Sequence, residues 1–173
     1  MPIGDLVDVT SHRLLGQRPD LDLTGWQLMA RCARIVHLCT QALTDALKPF
    51  GLSQHEYVVL ASLRDLGPPY ASSPSRLLEV ALVTTSGGLT NMLHRLEDEG
   101  LIQRAPDPDD RRGVQVTLTD KGLELVQQAT THYIAAANRF VAGVAREQID
   151  GLTQALHLLL MSIEPVMLED PSR

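Results

Sequence analysis

One stretch, Thr84 to Leu118, constrains this 173-residue chain more than any other. It reads as a helix, a tight stop and a two-stranded ribbon. Thr84 or Thr85 offers a hydroxyl to cap the first free amides of the helix. Leu89, Leu93 and Leu96 recur at helical period and mark one buried stripe, with Met92 at its edge. Gly100 supplies the left-handed residue on which a helix ends, and Leu101 folds back onto the last turn. Val114 to Leu118 alternates apolar and polar residues, as a half-buried strand does, and Leu101 to Ala105 pairs with it. The prolines and aspartates of Pro106-Asp107-Pro108-Asp109-Asp110 favour a turn between them, with Arg111 and Arg112 at its tip.

The face of this helix opposite the leucines is the informative one. Gly87, Thr90, Asn91, His94 and Arg95 gather there, small or hydrogen-bonding and nowhere bulky, and Thr85 and Ser86 at the helix start join them as candidate contacts. Each helical glycine costs roughly 1 kcal/mol against alanine, a cost that makes sense where backbone must approach a partner. A DNA major groove admits a helix and shows base edges that Asn and Arg read. An arginine-tipped ribbon suits the narrow minor groove beside it, where negative potential is concentrated. The bland alternative is a solvated helix face with an ordinary hairpin behind it.

The run Leu93-x-Arg95-Leu96-Glu97-x-x-Gly100-Leu101-Ile102-x-Arg104-x-Pro106-Asp107-Pro108-Asp109-Asp110-Arg111-Arg112-x-Val114-x-Val116-x-Leu118-Thr119-x-x-Gly122 resembles the signature of the MarR family of transcriptional regulators. The resemblance implies a mainly α fold with a small β wing, a winged helix-turn-helix plus a helical dimerisation region. It implies a homodimer, a double-stranded DNA operator and a small-molecule effector, aromatic or phenolic acids being common. It makes Arg112 the wing arginine and Asp110 its neighbour. Thr85 stands where some members carry an acidic residue that pairs with that arginine, a departure from the pattern.

The domain division follows: 1–50 as arm and dimerisation helix, 51–118 as the DNA-binding winged helix, 119–173 as C-terminal dimerisation helices. Residues 1 to 22 read as a short helix or arm. Leu23 to Lys48 reads as a long helix with Leu28, Cys32, Ile35, Cys39 and Leu43 on one stripe. Ser53 and Glu56 form a capping-box pattern at the head of a helix to Leu66. Pro74 opens a short helix to about Ala81, the first of the helix-turn-helix pair. Beyond the ribbon, Asp120 to Ala142 is helical, with Leu123, Val126, Thr130, Ile134 and Val141 buried. A last helix from Glu147 to Met167 is apolar over more than half its girth, which calls for burial on two sides and points to a second chain, the alternative being a simple monomeric core.

Charge argues against simple cationic coating of DNA. The net charge is −6, and Arg76 to Lys121 holds six basic and eight acidic residues. Because phosphate attraction supplies most non-specific affinity, binding here depends on arginine placement and should weaken steeply with salt. A winged-helix module that binds protein instead of DNA is the alternative that this acidic balance supports.

For the effector, Trp26, Arg34, His37, Tyr57, Arg64 and Tyr70 are candidate pocket residues, with an arginine to hold a carboxylate. Each has a plainer reading as helix anchor, surface ion pair or core aromatic. Cys32 and Cys39 lie about 10 Å apart along one helix, too far for a bridge within the chain. A thiol-based redox switch would therefore need a second subunit. The six histidines show no metal-ligand spacing, and no phosphate loop or nucleophile elbow appears, so neither a cofactor, a metal nor an enzyme is expected. The N-terminus lacks signal-peptide character and no membrane span is legible; the cytoplasm is the expected location.

Overall fold

The computed structural model describes residues 4–80, 86–106 and 113–168. The chain divides into two compact units, Met1–Ala136 and Ala137–Arg173.

In the first unit, α1 (Leu6–Gln17) is the helix of the two alternatives expected there, a short helix or an arm. Asp5 starts it: its Oδ1 accepts from Val7 N at 2.8 Å and Asp8 N at 3.0 Å, while Asp8 returns a bond to Asp5 N. Arg31 of α2 (Thr24–Leu47) then holds both carboxylates, at 2.8 and 2.5 Å. A 3-10 turn, Lys48–Phe50, closes on Gly51 in the left-handed region (φ +67°). α3 (Gln54–Asp65) begins with the expected reciprocal box between Ser53 and Glu56.

Two-residue β1 (Ala71–Ser72) and α4 (Pro74–Val80) follow, then α5 (Ser86–Asp98). Strands β2 (Ile102–Pro106) and β3 (Val114–Leu118) form the ribbon, and α6 (Asp120–Phe140) leaves it. The sheet is antiparallel, ordered β1-β3-β2. Ile102 faces Leu118 and Arg104 faces Val116, so the apolar alternation of β3 points at the helices. β1 has no counterpart in the sequence reading; two residues are too few to show alternation.

The core packs α3, α4, α5 and the start of α6 on this sheet. Val59, Leu60, Leu63, Leu77, Leu96, Val116 and Val126 are fully enclosed, with Leu47 closing it from the end of α2. On α2 Leu47 is buried, while Leu28 and Ile35 of its stripe are exposed and Cys32 and Cys39 half-buried. The stripe expected on α6 is corrected. On α6 the buried line is Gly122, Val126, Ala129 and Ala136; Ile134 is exposed. Small residues win that face because the helix lies so close that a Cβ on Gly122 would sit 2.0 Å from the Leu101 carbonyl oxygen.

The second unit holds the last turn of α6 and α7 (Arg146–Leu168). Leu152, Leu156, Leu158, Leu160, Met161 and Ile163 of α7 are all exposed.

Candidate nucleic-acid interface

α5 is seated by its leucines. Leu89, Leu93 and Leu96 are buried, while Gly87, Thr90, Asn91, His94 and Arg95 are exposed on the other side. The helix ends as expected at Gly100 (φ +68°), whose N–H donates to the Glu97 carbonyl at 2.8 Å. Leu101 N donates back to Leu96 O at 2.9 Å. The carbonyls left over at this end are taken up from α6. Thr119 Oγ1 donates to Gly100 O at 2.8 Å, and Lys121 Nζ reaches Glu99 O at 2.5 Å. These bonds tie the end of α5 to the start of α6.

The exposed candidates do not behave alike. Asn91 is open. No neighbour lies within 4 Å of a Cβ built on Gly87, so its glycine relieves no crowding inside the chain. Arg95 is exposed and also held by partners within the chain. Its Nε pairs with Glu56 Oε1 at 3.0 Å and Glu99 Oε1 at 3.2 Å, and its Nη2 donates to Gly51 O at 2.7 Å. Glu56 is buried and draws Arg95 inward, because a buried carboxylate needs a counter-charge. His94 is likewise engaged, with Nδ1 2.9 Å from Arg104 Nη2. Ser86 opens the helix. Thr85, Asp110, Arg111 and Arg112 lie outside the described residues.

Three residues escaped the sequence reading. Glu56 was visible only as a helix cap. Arg104 and Glu97 stood in the motif without a role; on the folded chain Arg104 Nε donates to Glu97 Oε2 at 2.8 Å, and its backbone N–H to Oε1 at 3.1 Å. That hydrogen-bonded guanidinium holds the Glu97 carboxyl below the usual carboxylate range.

The effector candidates fall into two places. Trp26, Arg34 and His37 line a hollow of about 320 Å³ between α1 and α2, floored by Ala30 and Ala33 and flanked by Leu6, Val7 and Thr10. Tyr57 and Arg64 are elsewhere, against α6. Tyr57 is buried, stacks on Tyr133 at 4.4 Å between centroids and donates to Thr130 Oγ1 at 3.3 Å. Arg64 donates to the same Thr130 hydroxyl and pairs with Asp65. Burial pushes the Tyr133 phenol up. Tyr70 is a turn residue at φ +58°, half-buried against the core. None of these three lines the hollow at Trp26, Arg34 and His37. Among the described residues no three His, Cys, Asp or Glu side chains cluster for a metal ion, and no helix is long and apolar enough to cross a membrane.

A leucine-seated helix after a short helix, with a three-stranded sheet whose hairpin projects beside it, defines a winged helix-turn-helix protein. The family model for the MarR family matches residues 52–114. The transcriptional regulator PecS of Dickeya dadantii (strain 3937) is 33% identical over 132 residues, 76% of this chain and 79% of the relative. Among solved structures, a cysteine-to-serine mutant of MarR from E. coli complexed with operator DNA superposes with TM-score 0.70 at 26% identity, over 82% of this chain and 99% of that one. AbsC, a MarR family transcriptional regulator from Streptomyces coelicolor, gives TM-score 0.72 at 25% identity, covering 84% and 97%. The chain belongs to the MarR family of transcriptional regulators.

Proposed function

We propose that this protein is a homodimeric repressor that binds a pseudo-palindromic operator and is released by a small aromatic or phenolic acid. The two sides of α5 carry the reading: leucines hold one, and the other offers Gly87, Thr90 and Asn91 as a shallow polar surface. Residues 51–118 would dock, with Asn91 reading base edges and Arg111 and Arg112 reaching phosphate or minor groove. The E. coli MarR mutant, solved with operator DNA, supports this docking.

Residues 1–50 and 119–173 would form the dimerisation region. The exposed apolar side chains of α2 and α7 support that assignment. In the dimer two recognition helices would stand about 34 Å apart, one turn of duplex. The hollow at Trp26, Arg34 and His37 fits a small acid, with Arg34 for its carboxylate and Trp26 for its ring. Such a ligand acts only by binding the free form more tightly than the DNA-bound form.

The test is fluorescence anisotropy with a duplex from upstream of the protein's own coding sequence, across a salt series. Binding that falls steeply with salt, and drops in Arg112→Ala, is expected. No binding to that duplex, nor to any duplex selected from a random pool, would instead favour the acidic protein-binding module.

A further inference from the structure

His94 has a tautomer decided by the fold. Its Nδ1 lies 2.9 Å from Nη2 of Arg104, which reaches across from β2. A guanidinium only donates, and it keeps its charge at every working pH. The bond therefore has one direction: Nδ1 accepts and carries no proton. The neutral ring must hold its proton on Nε2.

Arg104 is itself immobilised. Nε and Nη2 both donate to Glu97 Oε2, and the backbone N–H donates to Oε1. Glu97 is three residues beyond His94 on the same helix, so one arginine bridges two side chains of α5 to the ribbon. The ring end left outward is Nε2, the atom farthest from the backbone. His94 is exposed and recurs with Gly87, Thr90 and Asn91 in steps of three and four. Among the described residues no hydrogen bond falls on Nε2.

We propose that His94, locked as the Nε2–H tautomer by Arg104, is a donor-only reader of guanine in the major groove, with Arg104 as its positioning residue. This rests on the DNA-binding reading above. A fixed donor matches guanine, which presents the adjacent acceptors N7 and O6. Adenine sets its N6 donor beside N7, and cytosine meets the donor with a donor. His94 lies about 4.5 Å along the helix from Asn91, so the two would read neighbouring base pairs, with Asn91 suited to adenine.

The experiment begins with the full-length protein and a random duplex pool, from which the preferred site is selected. Each guanine in that site is then replaced by 7-deazaguanine, which lacks N7. At one guanine per half-site, affinity of the unaltered protein should fall about tenfold, while His94→Ala, already weakened, loses nothing further. A ring whose Nδ1 accepts from Arg104 carries no second proton, so His94→Ala should leave the salt dependence unchanged. His94→Gln, whose amide also donates, should recover part of the discrimination.

Independently of DNA, ¹⁵N NMR of the free protein should show the His94 proton on Nε2, and Arg104→Met should return the ring to a tautomer mixture with lower guanine selectivity. Arg104→Lys, a donor again, should restore both. An Nδ1–H ring in the free protein overturns the proposal. So does a 7-deazaguanine penalty equal in His94→Ala and in the unaltered protein. Failure of the unaltered protein to select any duplex would instead bring down the DNA-binding reading, and this proposal with it.

Discussion

Arg95, on the recognition helix, neutralises Glu56, a buried carboxylate at the head of α3, at 3.0 Å, and its Nη2 also holds the carbonyl of Gly51. One side chain thus ties α5 to the corner where α2 gives way to α3.

Arg95→Met should therefore cost stability first, because it leaves Glu56 buried with only Ser53 to satisfy it. Arg95 is itself half-exposed, so the loss is expected at about 1–3 kcal/mol, below the range for a fully enclosed pair. Glu56→Gln in the same background should recover part of it. Chemical denaturation of the two single variants and the double variant measures the coupling; strictly additive losses would mean the pair does not act as a unit.

Gly122 is a second point where the fold leaves no choice. An added Cβ would meet the Leu101 carbonyl oxygen at 2.0 Å, and that carbonyl already accepts from Thr119 N and Thr119 Oγ1. Gly122→Ala should destabilise by at least about 2 kcal/mol even though alanine is the better helix former. A thermal melt as high as that of the unaltered protein would show that α6 can back away from the ribbon.

Gly87 is the opposite case, with no neighbour within 4 Å. Gly87→Ala should leave the free protein intact or stabilise it by up to about 1 kcal/mol, yet weaken duplex binding where backbone and groove must approach. Paired melts and anisotropy titrations check both halves. Unchanged affinity would place the close contact elsewhere on the helix.

These contrasts show what local pattern can and cannot convey. The leucine stripe of α5, the stop at Gly100, the Ser53–Glu56 cap and β3 were legible because each depends on residues within a turn or two of one another. The contacts of Arg95 were not legible because its partner is 39 positions upstream, and periodicity names a face but not what lies across from it. Arg104 was overlooked for the same reason, since its value lies in joining a strand to a helix. The six effector candidates were grouped by chemistry alone; folding put Tyr57 and Arg64 on Thr130 and left Trp26, Arg34 and His37 at the hollow.

The Glu97–Arg104 clamp has a pH signature. The Arg104 guanidinium, by hydrogen bonding first and by charge second, lowers the Glu97 carboxyl from its ordinary 4.5. A lowered folded value means the contribution is fully present above the ordinary value and is lost as pH falls through the folded one. Carboxyl ¹³C titration should find Glu97 below 4.5 in the unaltered protein and close to 4.5 in Arg104→Met. The ribbon should loosen only under acid and not near neutral pH. A Glu97 midpoint indifferent to Arg104 would mean the clamp does not persist in solution.

α7 carries apolar side chains on which the proposed dimer rests. Leu152, Leu156, Leu158, Leu160, Met161 and Ile163 are exposed, and so, on α2, are Leu28, Ile35 and Val36. Enclosing one such side chain is worth about 1.5–3 kcal/mol, so a few of them covered by a second copy outweigh the entropy of association. Leu152 and Leu156 sit one turn apart, which makes them a sensitive pair: Leu152→Glu with Leu156→Glu would set two carboxylates into any apolar seam on that side. Sedimentation of the unaltered protein should give a dimer at micromolar concentration, and the double variant should run as a monomer with its Met1–Ala136 unit still folded by circular dichroism. Its duplex affinity should fall by orders of magnitude, since two half-sites would no longer be bound by one molecule. A double variant that remains a dimer would remove this stretch of α7 from the interface and leave the exposed face of α2 to account for assembly.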